Sequence, residues 1–339
     1  MFEPFYGNAA TTETLSQMIR NDRIPQTILL NGPEGIGKAT LARRFAAEIL
    51  GDREKIEKDD LNLPENANLI ADREKMPADK RNEDPLLFAS HVDFVTFAPD
   101  GPLRQISIQQ IRLFKERAQY GPLKGRYRVF LIDHLDRANE QAANSLLKIL
   151  EEPPSYLLIM MTSENAYDLL PTIRSRSLIL SMSPLSQDEM ALFMRDRGLK
   201  DTQRRIALSG GSPGVAACLD LEAYDKRRSA MISLLQAASG VQPFAEWAKV
   251  SESLGRTDKL ENHLHVLYTL LEDVLYLQNG RPDIRNVDVR KDLEHIAASA
   301  NFDWVRNATR RVDELVEFLR RNIQKSIALD ALVAELRSA

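Results

Sequence analysis

Short runs of aliphatic and β-branched residues alternate with amphipathic stretches through the first half of the chain. Four of these runs are almost wholly apolar, which predicts strands that are buried on both faces. They are residues 27–30, 128–132, 156–161 and 178–180. Residues 92–97 alternate apolar and polar positions and predict a fifth strand. Because strands and helical stretches alternate, we predict an α/β domain with a parallel sheet over residues 1–183.

Helical periodicity replaces the strand pattern in the rest of the chain. Residues 184–221 predict a small lid domain of three short helices, separated by Gly198 and by the glycine-rich run 210–214. Residues 222–339 predict a C-terminal all-α bundle, because two apolar stripes recur there at helical spacing. The first stripe is Leu260, Leu264, Leu267, Leu271 and Val274. The second is Val305, Ala308, Val312, Leu315 and Leu319.

Residues 51–85 interrupt the pattern of the first domain. Of these 35 residues 18 are charged, and no apolar period is sustained among them. We therefore expect an exposed insertion that is partly disordered. Further along, Ser107 and Gln110 have the spacing of a capping box, so a helix is predicted to begin at Ser107.

The composition limits the class of protein. With 339 residues, 43% hydrophobic and 28% charged, the chain is globular and long enough for two or three domains. It has no apolar run of the roughly 18 residues that a membrane span needs, and residues 1–5 do not resemble a secretory signal, so we expect a cytoplasmic protein. A single cysteine, Cys218, and five scattered histidines predict neither a disulfide nor a metal site.

A glycine-rich segment follows the first predicted strand and precedes a helix. It reads Gly32-Pro33-Glu34-Gly35-Ile36-Gly37-Lys38. Glycines let backbone N–H groups close around phosphate oxygens, the helix N-terminus adds its positive end, and the lysine adds a full charge. The order of strand, loop and helix predicts a nucleotide-binding P-loop over a simple glycine turn. The predicted phosphate-binding residues are Gly32, Gly35, Ile36, Gly37, Lys38, Ala39 and Thr40.

Two positions weaken this segment as a hydrolytic site. Ala39 stands where a hydroxyl ordinarily holds Mg²⁺, and Thr40 is rotated away around the helix. The strand 128–132 ends at Asp133, as a Walker B segment does, but His134 stands where such ATPases carry the glutamate that polarises water. We therefore predict that ATP or ADP binds without much hydrolysis and that Mg²⁺ arrives only with the nucleotide.

The segment 138–154 predicts a helix that is ended by two prolines. Glu151 and Glu152 fall in its last turn, where they oppose the helix dipole. This placement costs a few tenths of a kcal/mol unless a basic partner compensates. Two interpretations remain open, an interaction at this helix end and a plain solvated terminus.

Residues 133–154 resemble the bacterial clamp-loader branch of the AAA+ ATPases, above all in Ala-Asn-Ser-Leu-Leu-Lys-Ile-Leu-Glu-Glu-Pro-Pro at 143–154. Thr172-Ile173-Arg174-Ser175-Arg176-Ser177 strengthens the resemblance, since clamp-loader subunits carry a Ser-Arg-Cys signature there. The resemblance covers essentially the whole chain. It implies a P-loop AAA+ sheet, a helical lid and a C-terminal collar, in a hetero-oligomer that serves DNA replication. The implied partners are the motor and delta subunits, the sliding clamp and primed DNA.

The resemblance also implies roles for single residues. Arg176 matches the arginine finger that reaches into a neighbouring subunit's ATP site, and Thr162 or Ser163 matches the sensor-1 position. Several family features are missing, because Ser177 replaces the cysteine, the insertion 51–85 has no cysteines for zinc, and no sensor-2 arginine follows Ser212. The pattern therefore implies a stator that contributes Arg176 while other subunits hydrolyse ATP, and no zinc.

A basic segment offers a second candidate surface. Residues 101–128 hold seven basic residues against one acidic residue, a local charge of +6 on a chain whose net charge is −4. Such a patch suits the phosphates of a primed duplex, although a solvated charged face fits the pattern equally. The candidate DNA-binding residues are Arg104, Arg112, Lys115 and Lys124.

Two other functional classes fit the sequence. One is an autonomous P-loop ATPase motor that acts on DNA, whose turnover would depend on Lys38. The other is a scaffold whose P-loop is a relic, and such a chain would bind no nucleotide even at millimolar concentration.

Overall fold

The computed structural model describes residues 1–254, 260–318 and 325–337. Its centre is a six-stranded sheet with the spatial order β2-β3-β4-β5-β1-β6. The strands are β1 (Thr27–Asn31), β2 (Phe88–His91), β3 (Phe94–Phe97), β4 (Arg128–Ile132), β5 (Leu157–Ser163) and β6 (Leu178–Ser181). All neighbouring strands are parallel except β2, which pairs antiparallel with β3. The predicted α/β class and its five strands are confirmed, and only β2 was not predicted.

Helices surround this sheet and form the rest of the chain. Those up to the last strand are α1 (Ala9–Arg20), α2 (Lys38–Leu50), α3 (Arg53–Glu57), α4 (Pro64–Glu74), α5 (Ala78–Glu83), α6 (Ile108–Arg117), α7 (Glu140–Glu151) and α8 (Pro171–Arg174). Those beyond it are α9 (Gln187–Asp196), α10 (Thr202–Ser209), α11 (Pro213–Cys218), α12 (Leu221–Ala238), α13 (Phe244–Ser253), α14 (Leu260–Gln278), α15 (Arg290–Ser299), α16 (Phe302–Phe318) and α17 (Lys325–Arg337). No helix of the described residues has the length and apolarity needed to cross a membrane.

The core of the sheet domain explains the long apolar runs. Strands β4 and β5 are buried at every position, because helices cover both of their faces. On one face Phe97, Phe114 and Phe130 pack with ring centroids 5.0–5.9 Å apart, which joins α6 to β3 and β4. Strand β6 lies at the sheet edge and is the most exposed strand.

The charged insertion is folded, so the expectation of partial disorder is wrong. It forms α3, α4 and α5, and Ile56 and Ile70 are buried at 0% and 3% exposure. Its charges are paired, since Arg73 donates to both carboxylate oxygens of Asp100 at 3.0 and 2.7 Å. A few buried apolar side chains and ion pairs such as that of Arg73 therefore hold the insertion in place. They substitute for the repeating apolar pattern, whose absence from the sequence predicted disorder.

The chain separates into two compact units. The first contains Met1–Thr202 with Gly210–Ala217, and the second contains Gln203–Ser209 with Cys218–Ala339. The three predicted short helices are present as α9, α10 and α11, and they divide between the two units. The second unit is all-α and buries both predicted leucine and valine stripes, although Leu319 lies outside the described residues. The predicted boundaries at 183 and 221 stay predictions.

Candidate functional site

The glycine-rich loop lies between β1 and α2, at the carboxyl end of the sheet. The Gly32 N–H donates to the carbonyl of Ser163 at 3.1 Å, which fixes the loop to the end of β5. A Cβ at Gly32 would lie 2.3 Å from the carbonyl oxygen of Met182, so only glycine fits there. Helix α2 begins at Lys38 without an acidic residue in its first turn, which leaves a positive N-terminus for an anion.

The loop lysine is folded back onto its own loop. Lys38 Nζ donates to the carbonyls of Gly32 and Pro33 at 2.6 and 2.7 Å, and the residue is 5% exposed. Burial lowers the pKa of Lys38, and the negative charges of Glu164 and Asp133 partly oppose that shift. A phosphate would have to replace these carbonyls as the partner of the ammonium group.

A segment of the first unit covers the loop. The Gly214 N–H donates to the Gly35 carbonyl at 2.8 Å. A Cβ at Gly35, whose φ is 72°, would lie 2.8 Å from the backbone nitrogen of Val215. The two backbones can approach this closely because neither position 35 nor position 214 carries a side chain. This contact occurs beside Ser212, where the sequence lacks the sensor-2 arginine.

Asp133 and Thr162 meet at the ends of two adjacent strands. The Thr162 hydroxyl donates to Asp133 Oδ1 at 2.5 Å and accepts from the His134 N–H at 2.8 Å. The Ser163 hydroxyl instead donates to the Asn165 carbonyl at 2.9 Å. This geometry favours Thr162 over Ser163 for the sensor-1 position that the sequence left open.

Three potential metal ligands also meet at these strand ends. One atom each of His134, Asp136 and Glu164 lies within 4.8 Å of the other two. The residues are 30 positions apart at most in the sequence, and their spacing matches no metal-binding motif, so sequence reasoning missed the cluster.

Arg176 lies on the surface after α8 and is held by a carboxylate. Its Nη2 donates to Glu151 Oε1 at 2.7 Å, and its Nη1 donates to the Thr172 carbonyl at 3.0 Å. Arg176 is therefore the basic partner that compensates an acidic residue, Glu151, in the last turn of α7. Of the two interpretations of this helix end, an interaction and a solvated terminus, the structure shows an interaction within the chain. The Arg176 and Glu151 side chains are 33% and 51% exposed.

Apolar surface surrounds this arginine. Leu178 and Ile179, on edge strand β6, remain 38% and 37% exposed. Tyr167 is 80% exposed, and the guanidinium of Arg174 lies 4.9 Å from its ring centroid. Exposed apolar side chains grouped around charged ones are typical of surfaces that bind another protein.

The structure divides the basic segment. Arg104 donates to Glu74 at 2.6 Å, so its charge is neutralised locally. Arg112 and Lys124 are exposed, and Lys115 Nζ donates to the Ser145 hydroxyl on α7 at 2.7 Å. Lys148 lies one turn beyond Ser145 and is exposed, and the sequence analysis did not connect it to this patch. The positive charge therefore spans α6 and α7 and does not follow one segment.

Comparisons with known proteins decide the family. The model described as DNA polymerase III, delta subunit, matches residues 7–186, and the model of its C-terminal part matches residues 222–336. The chain belongs to the DNA polymerase III delta subunit family. The resemblance to clamp-loader proteins that the motifs predicted is thereby confirmed.

The relatives of this family member include two curated proteins named DNA polymerase III subunit delta'. That of Pseudomonas aeruginosa is 30% identical over 66% of this chain and 65% of its own length. That of Escherichia coli is 28% identical over 59% of this chain and 60% of its own length. The chain thus spans less than two thirds of the length of either relative. A gamma subunit-related protein of Thermotoga maritima superposes with a TM-score of 0.46 and 18% identity, covering 97% of this chain and 99% of that one.

Proposed function

We propose that the chain is a stator subunit of a bacterial clamp loader. It supplies Arg176 to the ATP site of a neighbouring motor subunit and helps to load a sliding clamp on primed DNA. The observation that carries the proposal is the placement of Arg176, an exposed guanidinium whose partner Glu151 is itself half exposed. An ion pair in solvent contributes about 0–1 kcal/mol, so γ-phosphate can replace Glu151 at little cost.

The surface around Arg176 supports a protein neighbour. Leu178, Ile179 and Tyr167 would be buried against the motor subunit, and burial of apolar surface stabilises such interfaces. The Arg176 guanidinium and its new phosphate partner would then both be shielded from solvent. Because the local dielectric constant falls when water is excluded, the attraction between them becomes stronger.

The chain's own P-loop is proposed to bind ATP or ADP without efficient hydrolysis. Glycines and a free helix N-terminus fit the phosphates, but Lys38 must leave the carbonyls that it now contacts. The residues fit a magnesium ion poorly, because Ala39 has no side-chain oxygen to coordinate it and the Asp133 carboxylate already accepts a hydrogen bond from the Thr162 hydroxyl. Mg²⁺ therefore enters the proposal only as part of a metal–nucleotide complex, and we derive no step through it.

DNA contact is proposed for the surface that α6 and α7 share. Arg112, Lys115 and Lys148 on this surface, with Lys124 in the loop that follows α6, would meet phosphates without reading bases. Arg104 is dropped from this set because Glu74 already neutralises it. The sliding clamp and the delta subunit complete the proposed assembly.

A mixing experiment tests this function. The chain is combined with the motor subunits, clamp and primed DNA, and steady-state ATP turnover is measured. We expect Arg176→Ala to lower DNA-stimulated turnover several-fold, because one set of sites loses the charge that stabilises the transferring phosphoryl group. Arg195→Ala is the matched control, since Arg195 is an exposed arginine of the same unit that pairs with its neighbour Asp196. Equal turnover for the two variants would refute the role of Arg176.

One rival, the nucleotide-free scaffold, is favoured by a specific observation. Gly214 and Val215 lie directly on Gly35, and Lys38 is already satisfied by loop carbonyls. A fluorescent ATP analogue titrated into the isolated chain separates the two. Saturable binding that Lys38→Ala removes supports the nucleotide-binding stator, and no binding at millimolar analogue supports the scaffold.

A further inference from the structure

His134, Asp136 and Glu164 come together because β4 and β5 are parallel neighbours. His134 and Asp136 follow the end of β4, and Glu164 follows the end of β5. Their ligand atoms lie within 4.8 Å of one another. With metal–ligand bonds of about 2.1 Å, side-chain rotations that bring these atoms about 1 Å closer would let them share one ion. The His134 N–H bond to Thr162 fixes the backbone that presents the imidazole.

Two of the three donor atoms lack a partner. His134 Nδ1 and Asp136 Oδ1 are shielded from solvent, and neither has a hydrogen-bond partner in the described part of the chain. Buried polar atoms are nearly always paired, so two unpaired atoms on residues of one cluster call for an explanation. An ion between them would satisfy both.

The third donor has only weak competition. Glu164 Oε1 lies 3.7 Å from Arg137 Nη2 and 3.9 Å from His134 Nδ1, both beyond hydrogen-bond distance. The Arg137 and Glu164 side chains are each 39% exposed, so a metal ion can displace the guanidinium into solvent.

We propose that His134, Asp136 and Glu164 bind one divalent transition-metal ion, such as Zn²⁺, Co²⁺ or Mn²⁺, in the absence of nucleotide. Two carboxylates balance the charge of the ion, and the imidazole selects against Mg²⁺ and Ca²⁺, which prefer oxygen ligands. The proposal does not rest on the proposed ATP-linked function, although the cluster adjoins the P-loop, where Glu164 and Asp136 act on Lys38. It revises the expectation, drawn from the scattered histidines, that the chain holds no metal.

Metal titration tests the site. The tag-free, nucleotide-free chain is titrated with Co²⁺ by its visible absorption, and Zn²⁺ is then used as a competitor. We expect one saturable ion per chain. His134→Ala and the conservative Glu164→Gln should each weaken binding at least about tenfold. Arg137→Ala should tighten it, since Glu164 then loses one competing cation.

Control variants make the outcome decisive. His295→Ala and Cys218→Ser remove an exposed imidazole and the exposed thiol elsewhere, and both should bind Co²⁺ as the unmodified chain does. Equal binding by Glu164→Gln and the unmodified chain would overturn the site. So would saturation only at millimolar Co²⁺, or displacement of Co²⁺ by stoichiometric Mg²⁺.

Discussion

At the scale of single residues, Arg176 and Glu151 connect the two motifs that identified the family. Glu151 is the first glutamate of the Leu-Leu-Lys-Ile-Leu-Glu-Glu run. Arg176 lies in the Ser-Arg-Ser signature, 25 residues later. The sequence indicated each position separately, through a helix dipole and a family signature. It could not pair them, because the contact depends on how α7 and α8 pack.

Replacing Glu151 tests whether it restrains the arginine. Glu151→Gln removes the charge that competes with phosphate for Arg176, so we expect ATP turnover without DNA to rise by up to about fivefold, the equivalent of about 1 kcal/mol. Glu152→Gln is the control, since Glu152 is an exposed acid in the same turn. Turnover in the assembled loader provides the measurement, and a fall to the level of Arg176→Ala would show that Glu151 positions the arginine instead.

The loop residues show a second limit of sequence reasoning at this scale. The P-loop motif located Gly32, Gly35 and Lys38 correctly between a strand and a helix. It did not indicate that Lys38 donates to its own loop or that Gly214 contacts Gly35. The Gly214 contact depends on where the chain returns about 180 residues later, and no local pattern encodes that return. The Lys38 contact is local, but the motif predicts a phosphate as the lysine's partner and not the carbonyls of its own loop.

At the scale of elements, helix capping was the feature that the local sequence predicted most accurately. The capping box of Ser107 and Gln110 is present at the start of α6. The Gln110 side chain does more than the pattern indicated, because its amide also donates to the carbonyls of Leu86 and Ala98 at 2.9 and 2.7 Å. It therefore joins α6 to the residues just before β2 and just after β3.

Two substitutions at this cap should differ in their effects. Ser107→Ala removes one N-terminal acceptor and should lower the free energy of unfolding by about 1 kcal/mol. Gln110→Ala also leaves two buried carbonyls unpaired and should lower it by about 2–3 kcal/mol. Gln119→Ala, at an exposed position just beyond the helix, should change little. Denaturant unfolding measures all three, and an equal effect at 107 and 110 would contradict this account.

At the scale of the whole molecule, the composition and periodicity predicted the class of each part. The α/β sheet follows from short apolar runs and one alternating run, and the helical parts follow from the period of 3.6 residues. The order of the strands did not follow, because it depends on long-range packing. The folding of the charged insertion did not follow either, because it depends on long-range ion pairs such as Arg73 with Asp100.

The second unit is held partly by a buried arginine. Arg228, 6% exposed on α12, donates to both carboxylate oxygens of Asp288 at 2.6 Å. Hydrogen bonding to Arg228 holds the pKa of Asp288 below its usual range. The depressed pKa makes this contribution to stability complete above about pH 4, and it is lost as the pH falls through the pKa of the folded state.

Asp288→Asn should therefore destabilise this unit at pH 7. We expect a loss of about 1–2 kcal/mol, less than for a fully buried pair because Asp288 is half exposed. The difference from the unmodified chain should shrink below pH 4, since acid then protonates Asp288 as well. Asp283→Asn, at an exposed position, is the control. Denaturant unfolding at pH 7 and at pH 3 gives the comparison, and a pH-independent difference would contradict the role of the charge.

We propose that this chain acts on the ATP of its neighbour. A single-turnover measurement on the assembled, ATP-saturated loader tests it most directly, by counting the ATP hydrolysed in the rapid phase after primed DNA is added. With Arg176→Ala, the account predicts one ATP fewer per copy of this chain, because the site that loses its arginine slows by about a thousandfold. An unchanged rapid phase, with Arg176→Ala fully incorporated into the complex, would contradict the claim.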